Sequence, residues 1–194
     1  IINKHKKLTT CSLTKNRNLF LSTIGGMGLT GIITTVTIKL IKIESSLIHL
    51  NKKFTSNLKE TMKIFENNAN NYSVAWVNFN HKDKRLGTSI IFLGDHAKKD
   101  DLKKNRISKK TEFKKSNTIS IPFIFPFSLI NYFSISIFNF IYASFQKLSN
   151  SSFVEINNYF YPLDHIKHWN RLYGRNGFIQ YQFVLPKKNS YQGL

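Results

Sequence analysis

At 194 residues, with 41% hydrophobic and 14% aromatic content, the chain is long enough to bury one good core or two small ones and too apolar for a disordered tail. A single cysteine, Cys11, excludes a disulfide framework and a cysteine-built metal site. The histidines His5, His49, His81, His96, His165 and His168 fall at no metal-ligand spacing, so neither a metal nor a catalytic histidine is expected. The formal charge of +19 raises nucleic acid or an anionic membrane surface as a partner, but Lys, Asn, Ile and Phe are plentiful while Ala, Gly and Arg are thin, the bias that an A/T-rich coding sequence produces whatever the function.

The chain opens on Ile1, and residues 1–10 have neither an apolar core nor a small-residue cleavage site, so no signal peptide is expected. Residues 16–24 (NRNLFLSTI) read as a short helix, broken by Gly25, Gly26, Gly28 and Gly31 into a tight turn. From Thr30 the β-branched run TGIITTVTIKLIKI alternates, with Ile33, Thr35 and Thr37 on one face and Thr34, Val36 and Ile38 on the other, which predicts a half-buried strand. Residues 52–66 place Phe54, Leu58, Met62 and Phe65 at helical spacing. YSVAWVNFN and LGTSIIFLGD then read as two strands joined by the polar turn HKDKR, a helix lying beside an antiparallel sheet.

The basic stretch Lys98–Lys115 includes Asp100, Asp101 and Glu112 and only one aromatic, Phe113. Single-strand binders interleave stacking rings with cations, so a solvated loop over 96–116 is expected. From Asn117 to Gln146 there is no charge. The length would suffice for a membrane span, yet Pro122, Pro126 and several Ser and Asn residues dilute it, so an aromatic helix, buried or at an interface, is expected. His165 and His168, at i, i+3, would share a helix face pointing to solvent. The tail FIQYQFVLP alternates as a strand closed by Pro186, with Gln180 and Gln182 on one face.

Gly26-Met27-Gly28-Leu29-Thr30-Gly31 satisfies G-x-G-x-x-G, but a helix precedes it and a strand follows, the reverse of a dinucleotide fold, so no helix N-terminus faces a pyrophosphate. What remains is local: clustered glycines permit positive φ and close approach of backbone to a planar ligand. A sharp turn without a ligand explains these residues equally well.

The stretch CSLTKNRNLFLSTIGGMGLTGIITTVTIKL resembles the end of the flavin domain in FAD-linked oxidases of the vanillyl-alcohol-oxidase type, in which a C-S-x-x-x-N-x-x-L-F helix leads into G-G-x-G-x-T-G and a strand. YSVAWVNF, and FYPLDHIKHWNRLYGRNGFIQYQFVLP with its Trp-Asn-Arg run and QYQF strand, are similar to the decaprenylphosphoryl-ribose oxidase family, as is the aromatic segment around Phe138-Asn139 and Tyr142. The resemblance implies an α+β fold: the end of a PCMH-type FAD-binding domain over 1–45, then part of an antiparallel-sheet-plus-helices substrate domain over 46–194. It implies oxidation of a secondary alcohol on a lipid-linked furanose to a ketone. FAD would take the hydride, and an NAD(P)H-dependent short-chain reductase would return it to the opposite face. By the same resemblance Gly25, Gly26, Gly28, Gly31 and Ile32 would meet FAD, while Trp76, Phe160, Gln180 and Gln182 would meet substrate. Phe160 stands where the family carries a pocket tyrosine, so a hydroxyl is lost unless Tyr159 or Tyr161 supplies it.

The implied setting is cytoplasmic, with peripheral contact at the inner face of the cell membrane left open. The rivals are a basic nucleic-acid module, which a steep salt dependence of binding would mark, and a small membrane-attached structural protein built on 117–146, which detergent-dependent extraction would mark. Trp76, Trp169 and most phenylalanines sit in apolar patterns instead of basic ones, which argues against nucleic acid. The family's glycine-rich pyrophosphate loop and its lysine-bearing segment have no counterpart in these residues. A 194-residue polypeptide of this sequence is therefore expected to purify colourless and inactive; a stoichiometric flavin spectrum with oxidase activity would refute this.

Overall fold

The computed structural model describes all residues except 3–4 and 108–117. The chain divides into two compact units, Ile1–Lys42 and Ile43–Leu194.

In the first unit, helix α1 (Arg17–Thr23) forms where expected and ends in the glycine turn. Thr23 Oγ1 donates back to the Leu19 carbonyl at 2.6 Å and lies 2.9 Å from Thr30 Oγ1, closing the turn on its own helix. The strand expected from Thr30 does not form. Only Ile32 pairs, with Ile2, and beyond it Val36, Ile38, Leu40 and Ile41 are 61–84% exposed. β-Branched alternation supplies strand propensity, but a strand exists only with a partner to take its N–H and C=O groups, and the described residues offer this run none.

The second unit is α+β, built on a four-stranded antiparallel sheet in the order β2–β3–β1–β5, with β1 (Leu47–Thr55), β2 (Tyr72–Asn78), β3 (Thr88–His96) and β5 (Ser151–Glu155). The hairpin β2–β3 is the one legible in the sequence. Its connection is closed by Asp83, which accepts from Arg85 Nη2 at 2.8 Å, and that guanidinium holds the Asp83 carboxyl down at about 2. Gly87 ends the connection at φ +77, with its Cα hydrogens against Leu58, so close that a Cβ there would lie 2.8 Å from Leu58 Cα.

The helix expected over 52–66 is corrected to α2 (Leu58–Glu66), because Asn57 caps it: its side chain accepts from Glu60 N at 2.9 Å, while the Glu60 carboxylate accepts from Ser56 N at 2.8 Å. Phe54 fits the helical spacing but belongs to β1. The basic loop is also corrected in part. Helix α3 (Lys99–Lys104) occupies its start and buries Leu102 against Leu47 and Ala97, while much of the remainder falls on 108–117, outside the described residues.

In an antiparallel pair, residues opposite each other share a face. One face therefore carries Leu47, Thr55, Ser89, Ile91 and Leu93 and is covered by α2 and α3; Ile91 is fully buried. The other carries Leu50, Lys52, Trp76, Ile90 and Phe92 and is covered by α4 (Tyr132–Gln146) and α5 (Ile156–Phe160). Helix α4 realises the expected aromatic helix only over the second half of the uncharged segment; residues 118–131 form no helix. Asn131 caps it by accepting from Phe133 N and Ser134 N, both at 3.1 Å, and none of its residues is fully buried. Among the described residues no helix is long and apolar enough to cross a membrane.

A short parallel pair, β4 (Ile119–Ser120) with β6 (Ile166–Lys167), sits apart from the sheet. Arg171 fastens this region by donating to the Ile121 and Pro122 carbonyls at 2.6 and 2.8 Å. His165 ends a 3-10 turn and His168 is left-handed at φ +58, so the two share no helix face. The strand expected at 178–186 is absent: Ile179, Tyr181 and Val184 are 82–96% exposed, again with no partner strand among the described residues. The chain then closes in a single turn, α6 (Ser190–Gly193).

A buried hydroxyl cluster pins α2 to the sheet. Thr61 Oγ1 lies 2.7 Å from Thr55 Oγ1 and donates toward Ser89 Oγ at 3.0 Å. Thr61→Val keeps the shape but strands those partners in a buried site, and is expected to cost about 1–3 kcal/mol in urea unfolding; an unchanged midpoint would show the cluster to be neutral.

Candidate functional site

On the sheet face below α4 and α5 lies a cavity of about 290 Å³, floored by Leu50, Lys52 and Phe92 and walled by Trp76, Tyr142 and Tyr159. A second hollow of about 390 Å³ opens on the other side of Trp76, between Phe54, Asn139 and Lys147. Trp76 is thus the wall between the two. It projects from β2, and Asn139 of α4 fixes the indole by accepting from its Nε1 at 3.0 Å. The ring packs on Tyr142 and Phe138 at 5.5 and 5.7 Å, and those two stack at 5.6 Å with planes 10° apart. Asn80 Nδ2 donates to Ser136 Oγ at 3.4 Å, one helical turn earlier. Ser136, Asn139, Tyr142 and Gln146 thus form the α4 stripe that faces the sheet.

Tyr159 packs against β3 because Gly94 leaves room: a Cβ on Gly94 would sit 2.9 Å from the Tyr159 ring and 2.8 Å from Ile48 Cγ2. Its hydroxyl donates to the Phe92 carbonyl at 3.1 Å. Burial, with smaller contributions from the Asp95 carboxylate and Tyr72, pushes the Tyr159 phenol up to about 12, so it stays a neutral donor. Burial also raises Tyr142, against a hydrogen bond from Gln146, and lowers Lys52. The lining mixes aliphatic, aromatic and polar side chains, and Lys52 is its one formally charged side chain among the described residues.

Of the expected substrate residues, Trp76 stands in the cavity wall. Phe160 packs edge-on against Tyr72 at 4.9 Å beside the cavity and does not line it, whereas its neighbour Tyr159 does. Gln180 and Gln182 lie on the exposed irregular segment and do not reach the cavity. Lys52 was missed because the helical spacing over 52–66 masked the alternation of LIHLNKKFT, which sets Leu50, Lys52 and Phe54 on one strand face.

The glycines lie in the other unit. Gly25 and Gly28 have φ +70 and +79, and a Cβ on either would meet nothing within 4 Å, so their backbone is open to a flat ligand. Gly26 and Gly31 answer local packing: a Cβ would run into the Ser22 and Ile2 carbonyls respectively. The Ile32 N–H donates to the Ile2 carbonyl at 2.9 Å, so this donor is already used.

Raising a phenol's folded pKa above its unfolded value, about 10, gives stability that is complete below pH 10 and is lost as the pH rises toward 12. In an alkaline titration followed by tyrosinate absorbance, Tyr159→Phe is expected to remove the latest step and leave the earlier ones; loss of an early step would contradict this placement.

No family model matches the chain. Decaprenylphosphoryl-beta-D-ribose oxidase of Mycolicibacterium smegmatis is 32% identical over 172 residues, which cover 87% of this chain and 37% of that protein. The chain therefore spans a little over a third of the length of this curated relative, and both units, with the glycine turn of one and the Trp76 cavity of the other, belong to a chain matched along most of its length. The resemblance expected from the sequence is borne out: the chain is a homologue of part of decaprenylphosphoryl-beta-D-ribose oxidase.

Proposed function

We propose that these residues serve an FAD-dependent oxidoreductase that oxidises a secondary alcohol of a polyprenyl-phosphate-linked furanose to a ketone, as the flavoprotein half of an epimerase. The observation that carries this reading is the aromatic cavity around Trp76. Flat rings offer stacking surface to a sugar, and hydroxyl and amide groups bond its hydroxyls without adding charge. Two features fit the cavity to that role: the neutral Tyr159 phenol and the Trp76 indole held by Asn139.

In this reading residues 1–45 end a PCMH-type FAD-binding domain and 46–194 belong to the substrate domain. The open backbone at Gly25 and Gly28 suits the approach of a planar ring, while Gly26 and Gly31 shape the turn; Ile32 would meet the cofactor through groups other than its N–H. Bound flavin would supply the two-electron chemistry. The protein's own residues bind and orient the sugar: Trp76 stacks on it, and the Tyr159 hydroxyl, whose proton goes to the Phe92 carbonyl, presents its oxygen as an acceptor, while Gln180 and Gln182 lie outside this cavity. An NAD(P)H-dependent short-chain reductase would complete the epimerisation.

A cytoplasmic enzyme working at the inner face of the membrane suits both the substrate and the charge of +19, which anionic lipid attracts. The outer side of α4 adds to this, since Phe133, Ile137 and Phe140 are 61–78% exposed.

The product of the full open reading frame that contains these residues is expected to carry a flavin spectrum and to bleach near the flavin absorbance maximum when farnesylphosphoryl-ribofuranose is added without oxygen. Trp76→Ala should keep the flavin and slow bleaching roughly 10²-fold through misplaced substrate. A flavin-free product, or bleaching indifferent to Trp76, would overturn the reading.

A further inference from the structure

The cavity floor holds an unexplained charge. Lys52 and Lys53 are consecutive on β1, so their side chains leave opposite faces of the sheet. Lys53 is exposed on the α2 side, near Glu60. Lys52 stands opposite Phe92 in the β1–β3 ladder, on the cavity face, partly buried among Val74, Trp76 and Tyr159.

Among the described residues Lys52 makes no ion pair and no side-chain hydrogen bond. No carboxylate lines the cavity. A desolvated, unpaired ammonium costs free energy unless an anion joins it, and burial already lowers its pKa. Around it stand neutral hydrogen-bonding groups, the Tyr142 hydroxyl, the Gln146 amide and the Ser152 hydroxyl, with the Trp76 ring as an apolar wall. One cation, several uncharged polar groups and a flat ring suit a ligand that joins one anionic group to a sugar.

We infer that Lys52 is the anion-binding residue of this cavity and takes the phosphate of a phosphorylated sugar, with the sugar set against Trp76. The inference rests on the cavity's being the substrate pocket. Phosphate on a sugar alone and phosphate bridging a sugar to a polyprenyl chain share this chemistry, and the basic surface draws either one in.

Calorimetric titration of the purified product of the full open reading frame with ribose, ribose 1-phosphate and farnesylphosphoryl-ribofuranose tests it. Lys52→Met is expected to weaken both phosphate ligands at least about tenfold, the scale of one charged hydrogen bond, and to leave ribose unchanged. Lys52→Arg should restore most of the affinity, and Lys53→Met, on the other face, should match the wild type. Equal affinity for the two phosphates supports a site for the phosphorylated sugar itself; tighter binding of the farnesyl ligand alone supports a lipid-borne substrate. Wild-type affinity in Lys52→Met, an equal loss in Lys53→Met, or no phosphate binding by the wild type would overturn the inference. Lys52-dependent binding in a protein that takes up no flavin would leave this site standing and remove the oxidoreductase reading, whereas a yellow, active enzyme indifferent to Lys52 would do the reverse.

Discussion

Strand β1 pairs with β3 on one side and β5 on the other, so its alternation decides what each face of the sheet meets. Leu47 and Thr55 point to the face packed by α2 and α3, where Leu102 and the Thr61 hydroxyl cluster close the core. Leu50, Lys52 and Phe54 point to the face under α4 and α5. A shift of one residue in register would exchange these sets. It would bring Lys53 into the cavity and drive Lys52 against α2. The cavity is therefore a consequence of strand pairing first and of its own lining second.

Helix α4 covers that face without a charged side chain, and its contacts to β2 and the turn that follows it are polar as much as apolar. Asn139 holds Trp76, Ser136 meets Asn80, and Tyr142 stacks on Phe138 while bordering the cavity. Such bonds fix a helix rotation that a uniformly apolar contact would leave loose. At the other wall a missing side chain does the positioning: only glycine at 94 lets Tyr159 lie on the strand. Two walls set independently, one by hydrogen bonds and one by steric room, leave space between them for a ligand.

The hairpin β2–β3 and helix α1 were legible from alternation and glycine punctuation, and the family was legible from motifs. The strands expected at Thr30 and at Phe178 were not realised, since alternation reports propensity and a strand also needs a neighbour. Lys52 escaped notice because Phe54 and Leu58 happen to satisfy helical spacing across a strand end and an Asn57 cap. Phe160 was expected by alignment to a motif, whereas the turn of α5 delivers Tyr159 to the cavity, and one residue along a helix is about 100° of rotation. Nothing local in the sequence reveals that Gly94 and Tyr159 meet, because 65 positions separate them.

The cavity between α4 and the sheet is proposed to receive a phosphorylated sugar. A crystal structure of the protein with farnesylphosphoryl-ribofuranose tests it most directly. The sugar is expected against Trp76 and Tyr159, with the phosphate within hydrogen-bonding distance of the Lys52 ammonium. A closed cavity, with the ligand lying along the exposed Phe133–Phe140 side of α4, would contradict it and make this region a lipid-contact surface.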